Sequence, residues 1–289
     1  MDPMARIERA LQAALARGDT PGCPPRLVAA MRHAVFPRGA RIRPRLCLAV
    51  AAACGEDQPE LTAAAASAIE LLHCASLVHD DLPCFDDAAT RRGRPSVHAQ
   101  FGQPLAVLAG DALIVLAFQT VALAGATLPA RLAPLVMTIG GAVGVPFGIV
   151  AGQAWECEDS IDLSRYQQEK TGALFAAATV AGAAAAGVAA EPWRTLGACL
   201  GEAFQVADDI LDASARAEDI GKPVGQDAAH GRPNAVRALG LAGAVARLDQ
   251  LAHDAVESVP ECPGAGPLRA HILSEISRLL PPGLALRAA

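Results

Sequence analysis

The chain has 289 residues, of which 52% are hydrophobic, with a net charge of −6 and a pI near 5.6. This length suits one large domain or two small ones, and the apolar content is ample for a buried core, which excludes an intrinsically disordered chain. The negative charge argues against a nucleic-acid backbone as partner. Of 24 basic residues, only two, Lys170 and Lys222, are lysines.

Cysteine usage and the N-terminus favour a cytoplasmic protein. The eight cysteines show no CxxC or other paired spacing, as expected for a reducing compartment. The opening MDPMARIERALQAALARG mixes acidic and basic residues at helical spacing and is not a signal peptide. The uncharged stretches 112–130 and 172–190 reach membrane-spanning length. We expect buried helices there and no stable membrane insertion, because Gln119 and Pro129 interrupt the first and the second is mostly Ala and Gly.

The predicted elements are helices from one end of the chain to the other. Apolar residues recur at spacings of three and four, and runs with strict alternation are absent. The Ala-rich segments 61–79 and 173–190 favour helix by propensity. Gly and Pro punctuation separates eight to ten or more helices, mostly of 12 to 25 residues by rough estimate. Without a linker or a repeat of fixed period, the pattern predicts a single all-α domain over 1–289.

An acidic cluster, HDDLPCFDDAATRRGRP, follows the helix predicted over 61–79. Pro83 cannot continue that helix, so Asp80 and Asp81 lie at its C-terminus, where the helix dipole disfavours carboxylates unless a cation binds. Asp86 and Asp87 follow after a short turn that can fold back towards Asp80. The cluster therefore predicts a cation site at the end of this helix.

A second acidic cluster, FQVADDILD, comes over a hundred residues later. Asp208 and Asp212 are four residues apart and share one helix face, with Asp209 a step round from it. Oxygen-only clusters suit hard cations, Mg²⁺ first and Mn²⁺ or Ca²⁺ less so, and such magnesium ions usually bind a phosphate on their other side. A solvated acidic surface is the alternative for one cluster, but two on apolar helices favour metal.

Basic residues accompany both clusters. A compact lysine ammonium suits contact with a phosphate oxygen, and Lys170 precedes Thr171 in EKTGALF. A diphosphate held between metals and cations would have its charge neutralised as a C–O bond breaks. The other cations are Arg91, Arg92 and Arg94 after the first cluster, Lys222 after the second, and Arg38, Arg41, Arg43 and Arg45 in PRGARIRPRL.

The run GARIRP, then HCASLVHDDLPCFDDAATRRGRPSVH, EKTGALF, FQVADDILD and GKPVGQD, resembles the trans-isoprenyl diphosphate synthases, most closely bacterial geranylgeranyl diphosphate synthases. The resemblance extends over about residues 30 to 240 and implies a helical bundle around a central cavity, three Mg²⁺ ions and a homodimer. It implies Mg²⁺-dependent head-to-tail condensation of isopentenyl diphosphate with an allylic diphosphate, without a nucleophilic side chain.

The resemblance also implies roles for individual residues. The metal-binding and catalytic carboxylates would be Asp80, Asp86 and Asp208, supported by Asp81, Asp87, Asp209 and Asp212. The allylic diphosphate would contact Arg91, Lys170, Thr171, Gln205 and Lys222, of which the two lysines also count as catalytic. Isopentenyl diphosphate would contact Arg43, His73 and Arg92. His73 taken alone could equally be a core histidine.

One position departs from the family pattern. Ala40 stands where the family usually has a lysine that touches isopentenyl diphosphate, and losing such a contact costs about 1.5 to 3 kcal/mol. Either Arg38 or Arg41 reaches the same phosphate, or the chain is a weak catalyst or a non-catalytic partner subunit. If a gap is left, Ala40→Lys lowers the KM for isopentenyl diphosphate.

Product length is predicted from the helix that ends at Asp80. Ala75 and Ser76 lie five and four residues before it, so they should project towards the cavity one turn below the metals. Aromatic residues at this level stop growth at fifteen carbons in the family, whereas small ones let the tail pass, so we expect a twenty-carbon product. The alternative product is a fifteen-carbon farnesyl diphosphate, and the alternative role of the two small residues is close helix packing alone. The alternative functions are a class I terpene cyclase and a membrane-embedded prenyltransferase.

Overall fold

The computed structural model describes residues 2–36, 39–158, 168–214 and 234–279. Helices dominate, so the predicted all-α class is confirmed. The α-helices are α1 (Pro3–Gly18), α2 (Pro25–Val35), α3 (Ile42–Ala53), α4 (Pro59–Asp80), α5 (Val97–Phe101), α6 (Gln103–Gly125), α7 (Pro129–Val143), α8 (Ile149–Ala154), α9 (Ala173–Ala185), α10 (Arg194–Ser214), α11 (Ala235–Glu257) and α12 (Ala265–Ser277).

Short elements complete the described chain. Two 3₁₀ helices cover Trp155–Cys157 and Glu191–Trp193, and a π-helix covers Gln168–Gly172. Strands β1 (Thr90–Arg91) and β2 (Arg94–Pro95) form an antiparallel hairpin that the sequence pattern missed. Two-residue strands are too short to show the alternation of apolar and polar residues by which a strand is recognised.

The chain forms two compact units. The first comprises Met1–Ala52, Glu56–Ile139 and Ala181–Val188, and the second comprises Ala53–Gly55, Gly140–Val180 and Ala189–Ala289. The single-domain organisation over 1–289 stays a prediction.

Helix α4 is the central element of the first unit. Its sequence is apolar on every side, as in a helix surrounded by protein, and its residues from Leu61 to Val78 are mostly buried. It packs most extensively along α6, and α1 and α2 also contact it. A glycine permits the closest approach: a Cβ at Gly110 of α6 would lie 2.0 Å from His79 Nε2. The helix ends at Asp80, as the position of Pro83 predicts.

Helices α4 and α6 are long and apolar enough to cross a membrane by length and composition alone. Protein buries 83% of the apolar window of α4 but only 44% of that of α6. In the other uncharged stretch, 172–190, the structure has the 13-residue helix α9, which is buried along most of its length.

A buried ion-pair cluster joins three segments of the first unit. Arg41 is 2% exposed and donates to Glu8 Oε1 at 3.0 Å, to Glu70 Oε1 at 2.6 Å and to the Val35 carbonyl at 2.8 Å. Glu8 and Glu70 are themselves buried. The backbone of Arg41 has a φ of 51°, in the left-handed region that non-glycine residues seldom adopt. These contacts fix the beginning of α3 against α1 and α4.

The second unit is organised by α10 and α11, which pack along each other, with α12 against α11. Small residues let its helices approach closely: a Cβ at Gly197 of α10 would lie 2.4 Å from Ala176 Cα of α9. Also within this unit, the amide of Gly264 donates to the carbonyl of Ala53 at 2.9 Å.

The Arg41 cluster leads to a prediction about stability. Arg41→Met should lower the free energy of unfolding by about 3–5 kcal/mol, because it removes the cation paired with the buried carboxylate of Glu70. Arg194→Met is the matched control, since its pair with Glu191 is exposed and should cost no more than about 1 kcal/mol. Urea unfolding followed by circular dichroism measures both changes. Equal costs for the two variants would contradict the structural role of Arg41.

Candidate active site

The first aspartate cluster lies at the C-terminus of α4. The chain turns sharply after Asp81, and the amide of Asp86 donates to the carbonyl of Asp80 at 3.0 Å. The amide of Ala88 donates in the same way to the carbonyl of Asp81 at 3.1 Å. The predicted fold-back of Asp86 towards Asp80 is therefore present in the backbone.

Asp81 faces inwards and orients an arginine. Its side chain is 3% exposed, and Arg91 Nε donates to its Oδ1 at 3.0 Å. Burial raises the pKa of the Asp81 carboxyl although the hydrogen bond from Arg91 acts in the opposite direction. In this structure Asp81 positions Arg91, and its role as a metal ligand stays a prediction.

Arg91 and Arg92 lie on the β1–β2 hairpin. Thr90 pairs with Pro95 and Arg91 with Arg94, so Arg92 and Gly93 form a two-residue turn. Their φ values of 54° and 73° place both in the left-handed region, as in a type I′ turn. Gly adopts this backbone readily, but an arginine is strained there by about 1–2 kcal/mol.

The three residues predicted to bind isopentenyl diphosphate lie together in the first unit. Arg43 Nη1 is 3.5 Å from His73 Nε2. Burial and the positive charge of Arg92 lower the pKa of the Arg43 guanidinium to about 10. Burial, followed by the charges of Arg43 and Arg92, lowers the pKa of His73 well below its usual value. His73 is thus a neutral imidazole among cations at neutral pH, which suits a site for an anion.

Arg41 does not belong to this site. The expectation that it could replace the missing lysine is wrong, because its side chain is fully buried against Glu8 and Glu70. The other candidate, Arg38, lies outside the described residues. Ala40 itself is exposed, and the neighbouring Gly39 packs against Arg92.

In the second unit, glycines fix the segment that carries Lys170 and Thr171. This segment is the π-helix Gln168–Gly172, a form often found at functional sites. A Cβ at Gly152 of α8 would lie 2.6 Å from the Lys170 amide nitrogen. A Cβ at Gly201 of α10 would lie 2.8 Å from Gly172 Cα. Only glycine permits such contacts, so α8 and α10 both pack directly on the π-helix backbone.

Side chains hold the same segment. Trp155 Nε1 donates to Oε2 of the buried Glu169 at 2.8 Å. Lys170 Nζ donates to Glu156 Oε1 at 2.8 Å, and Gln153 Nε2 donates to the other oxygen of that carboxylate at 2.9 Å. Sequence reasoning missed Glu156, because a separation of 14 residues from Lys170 has no periodicity that would reveal the contact.

A chain of hydrogen bonds links the π-helix to the second aspartate cluster. Thr171 Oγ1 donates to Gln205 Oε1 at 3.3 Å, and Gln205 Nε2 donates to Asp209 Oδ1 at 3.1 Å. The other oxygen of Asp209 accepts from the amide of Ala235, the first residue of α11, at 2.7 Å. Asp209 is 2% exposed and therefore serves as an internal carboxylate at a helix N-terminus.

Asp208 and Asp212 are partly exposed on α10, four residues apart, as predicted. Their donor set, like that of Asp80 and Asp86, consists of carboxylate oxygens and fits Mg²⁺, which retains several waters and needs few protein ligands. Within the described residues, no three His, Cys, Asp or Glu side chains are grouped to hold a metal ion. Lys222 lies outside the described residues.

The two residues predicted to control product length differ in environment. Ala75 is 1% exposed on the buried part of α4. Ser76 is half-buried, and its hydroxyl donates to the His73 carbonyl at 2.9 Å, so this hydroxyl is satisfied within the helix. Their effect on product length stays a prediction.

Comparisons with known proteins identify the family of this chain. The family model for polyprenyl synthetase matches residues 24–264, which include both aspartate clusters, the arginine hairpin and the π-helix. The chain is 54% identical over 282 residues to the geranylgeranyl diphosphate synthase of Cereibacter sphaeroides, covering 98% of each chain. It is 53% identical over 263 residues to the geranylgeranyl diphosphate synthase of Rhodobacter capsulatus, covering 91% of each chain.

A solved structure shows the same fold. It is the geranyltransferase of Helicobacter pylori complexed with magnesium and isoprenyl diphosphate. The TM-score is 0.77 at 27% identity, and the match covers 96% of this chain and 98% of that one. The fold, the order of the motifs and the curated relatives agree, and the chain belongs to the polyprenyl synthetase family.

Proposed function

We propose that this chain is a prenyltransferase that lengthens an allylic diphosphate with isopentenyl diphosphate and releases mainly geranylgeranyl diphosphate, with twenty carbons. The two relatives described above are geranylgeranyl diphosphate synthases and are more than 50% identical to this chain. The observation that carries the proposal is the grouping of Arg43, His73 and Arg92: Arg43 Nη1 lies 3.5 Å from His73 Nε2, and burial together with the positive charge of Arg92 lowers the pKa of both. A diphosphate removes this repulsion, which makes it the class of ligand that the site favours.

Residues of each unit are proposed to bind a different substrate. In the first unit, Arg43, His73 and Arg92 hold the diphosphate of the isopentenyl substrate, while Asp81 orients Arg91. In the second unit, Lys170 and Thr171 bind the allylic diphosphate, and Glu156 and Gln205 hold these two side chains in place. The proposed set for the allylic diphosphate also includes Arg91, Gln205 and Lys222.

The chemistry requires no nucleophilic side chain. The allylic C–O bond breaks, and diphosphate leaves with the bonding electrons. The isopentenyl double bond supplies the electron pair for the new C–C bond, and the adjacent carbon then loses a proton to the released diphosphate. Asp80, Asp81 and Asp86 in the first unit, and Asp208 and Asp212 in the second, would hold Mg²⁺, for which we propose three ions; when bound, the metal would supply charge neutralisation for the leaving diphosphate.

The test of this function is direct. Pure protein is incubated with isopentenyl diphosphate, Mg²⁺ and dimethylallyl, geranyl or farnesyl diphosphate in turn, and the products are sized. Turnover to a twenty-carbon product supports the proposal. A fifteen-carbon end product would identify a farnesyl synthase, cyclic hydrocarbons a terpene cyclase, and no turnover a non-catalytic subunit.

We also propose that the protein is a cytoplasmic homodimer. Helix α6 supports the dimer, because a row of its apolar side chains is exposed in the single chain and patches of this kind usually mark contact surfaces. Its exposed positions are Val107, Leu108, Val115 and Leu123.

The carboxylates give the first prediction on activity. Asp80→Ala and Asp208→Ala should each lower kcat by about a thousandfold or more, because a metal contact worth several kcal/mol in the transition state is lost. The fold should survive, as circular dichroism can verify. Asp19→Ala, an exposed carboxylate in neither cluster, is the control. Near-normal turnover in either variant, or activity that persists in EDTA, would refute the metal sites.

Product length gives a second prediction. Ala75→Phe should shorten the product to fifteen carbons or fewer, since a phenyl ring fills roughly the volume of one isoprene unit. Ala75 is 1% exposed, so the ring would enter the interior of the protein and not the solvent. Ala75→Leu, which overpacks less, should shift only part of the product. Ala13→Phe on the exposed face of α1 is the control. Unchanged product length in both Ala75 variants would exclude this position as the determinant.

The dimer is tested at the exposed face of α6. The mass by sedimentation should be about twice the 29.5 kDa of one chain. Leu123→Glu combined with Val115→Glu should give a monomer, because two charges would have to be buried in the contact. Leu241→Glu, an equally apolar but separate exposed position, should leave the dimer intact. A monomeric wild type would contradict the proposal.

A further inference from the structure

The site proposed for isopentenyl diphosphate lacks the family's lysine at Ala40, and the Arg92 side chain lies against the preceding residue, Gly39. A Cβ built on Gly39 would lie 2.6 Å from both Cζ and Nη2 of Arg92 and 3.0 Å from Nη1. The guanidinium of Arg92 therefore lies directly on the backbone of residue 39, beside Ala40. A side chain of any size at position 39 would occupy the same space.

The backbone of Arg92 supports a role for this contact. Arg92 occupies the first turn position of the hairpin with a φ of 54°, where Asn, Asp or Gly is the ordinary choice. Turn propensity therefore does not explain an arginine there. The turn nevertheless directs this side chain back over Gly39.

The charges near Arg92 indicate the ligand. Arg91 is paired with Asp81, and Arg94 donates to the carbonyl of Phe36. Within the described part of the chain, Arg92 makes no hydrogen bond or ion pair, and its charge lowers the pKa of both Arg43 and His73. An exposed cation beside two such groups favours a phosphate group as its partner.

We infer that Gly39 is a positioning residue for isopentenyl diphosphate: its bare backbone seats the Arg92 guanidinium where it takes over the phosphate contact of the missing lysine. The inference rests on the proposed function and extends it to the way in which one substrate is recognised. Gly39 itself touches no substrate and acts through Arg92.

The substitution Gly39→Ala tests this inference with little risk to folding. The φ of Gly39 lies outside the left-handed region, and the atoms in the way are the end of a flexible, exposed side chain. We expect the KM for isopentenyl diphosphate to rise about tenfold, as for a weakened charged hydrogen bond. The kcat and the KM for the allylic diphosphate should stay within about twofold, a split that general destabilisation would not produce.

Two further variants test the mechanism. Arg92→Gln should raise the same KM at least as much, and Gly39→Ala added to it should cause no further rise, because both changes remove one contact. Ala40→Lys should restore the KM in Gly39→Ala but change it less than about twofold in the wild type, where Arg92 already makes the contact. Gly266→Ala is the control, since a Cβ there meets nothing within 4 Å.

The outcomes separate this inference from the proposed function. If the wild type condenses the two substrates but Gly39→Ala leaves the KM unchanged, or if the effects of Gly39→Ala and Arg92→Gln simply add, the seating role is wrong and the proposed function stands. If Ala40→Lys lowers the KM of the wild type for isopentenyl diphosphate about tenfold, Arg92 does not make the phosphate contact of the missing lysine, and the inference is also wrong. If the wild type does not condense isopentenyl diphosphate with any primer, the proposed function itself fails.

Discussion

The pair between Arg41 and Glu70 is the contact on which the arrangement of the first unit depends. Glu70 is buried in the middle of α4, and Arg41 reaches it from the residue before α3. Since both ends are covalently continuous with helices, this contact sets the register of α3 against α4. Arg43 comes two residues after Arg41, and His73 comes three residues after Glu70. Because the first pair is in contact, Arg43 and His73 face each other.

The arginines of the first unit differ in role because their surroundings differ. Arg41 is desolvated and neutralised by carboxylates, so it acts as a structural ion. Arg91 is paired with the buried Asp81, which fixes its direction, and its side chain remains partly exposed. Arg43 lies beside His73, and the positive charge of the exposed Arg92 adds to burial in lowering the pKa of the Arg43 guanidinium. These residues form the proposed isopentenyl site.

In the second unit, close backbone contacts fix the position of the π-helix that carries Lys170 and Thr171. Glycines at 152 and 201 allow two helices to rest on the π-helix that carries Lys170. The carboxylates of Glu156 and Glu169 then fix side chains that a bare backbone contact would leave mobile. A π-helix is rare and is often found at functional sites, and here it carries both Lys170 and Thr171 on one short segment.

Much of the candidate site could be predicted from the sequence, for local reasons. Pro83 had to end α4 at the first aspartates, and a spacing of four placed Asp208 and Asp212 on one face of α10. The order of the motifs also indicated the family, because residue type and spacing along the chain carry that information directly. Helical periodicity in turn predicted the all-α class, since it depends only on neighbours within a turn or two.

Contacts between residues far apart in the sequence could be identified only from the tertiary structure. The sequence treats Arg41 and Arg43 alike, two residues apart in one basic run, yet the Arg41 side chain is buried against the carboxylates of Glu8 and Glu70, whereas Arg43 lies beside His73. Likewise, Gly39 and Arg92 lie more than fifty residues apart, and no local pattern couples them. The sequence alone determined the helices and the charged motifs. The tertiary structure decided which charges are buried and neutralised and which remain available to a ligand, because Coulomb and desolvation energies depend on distances in space.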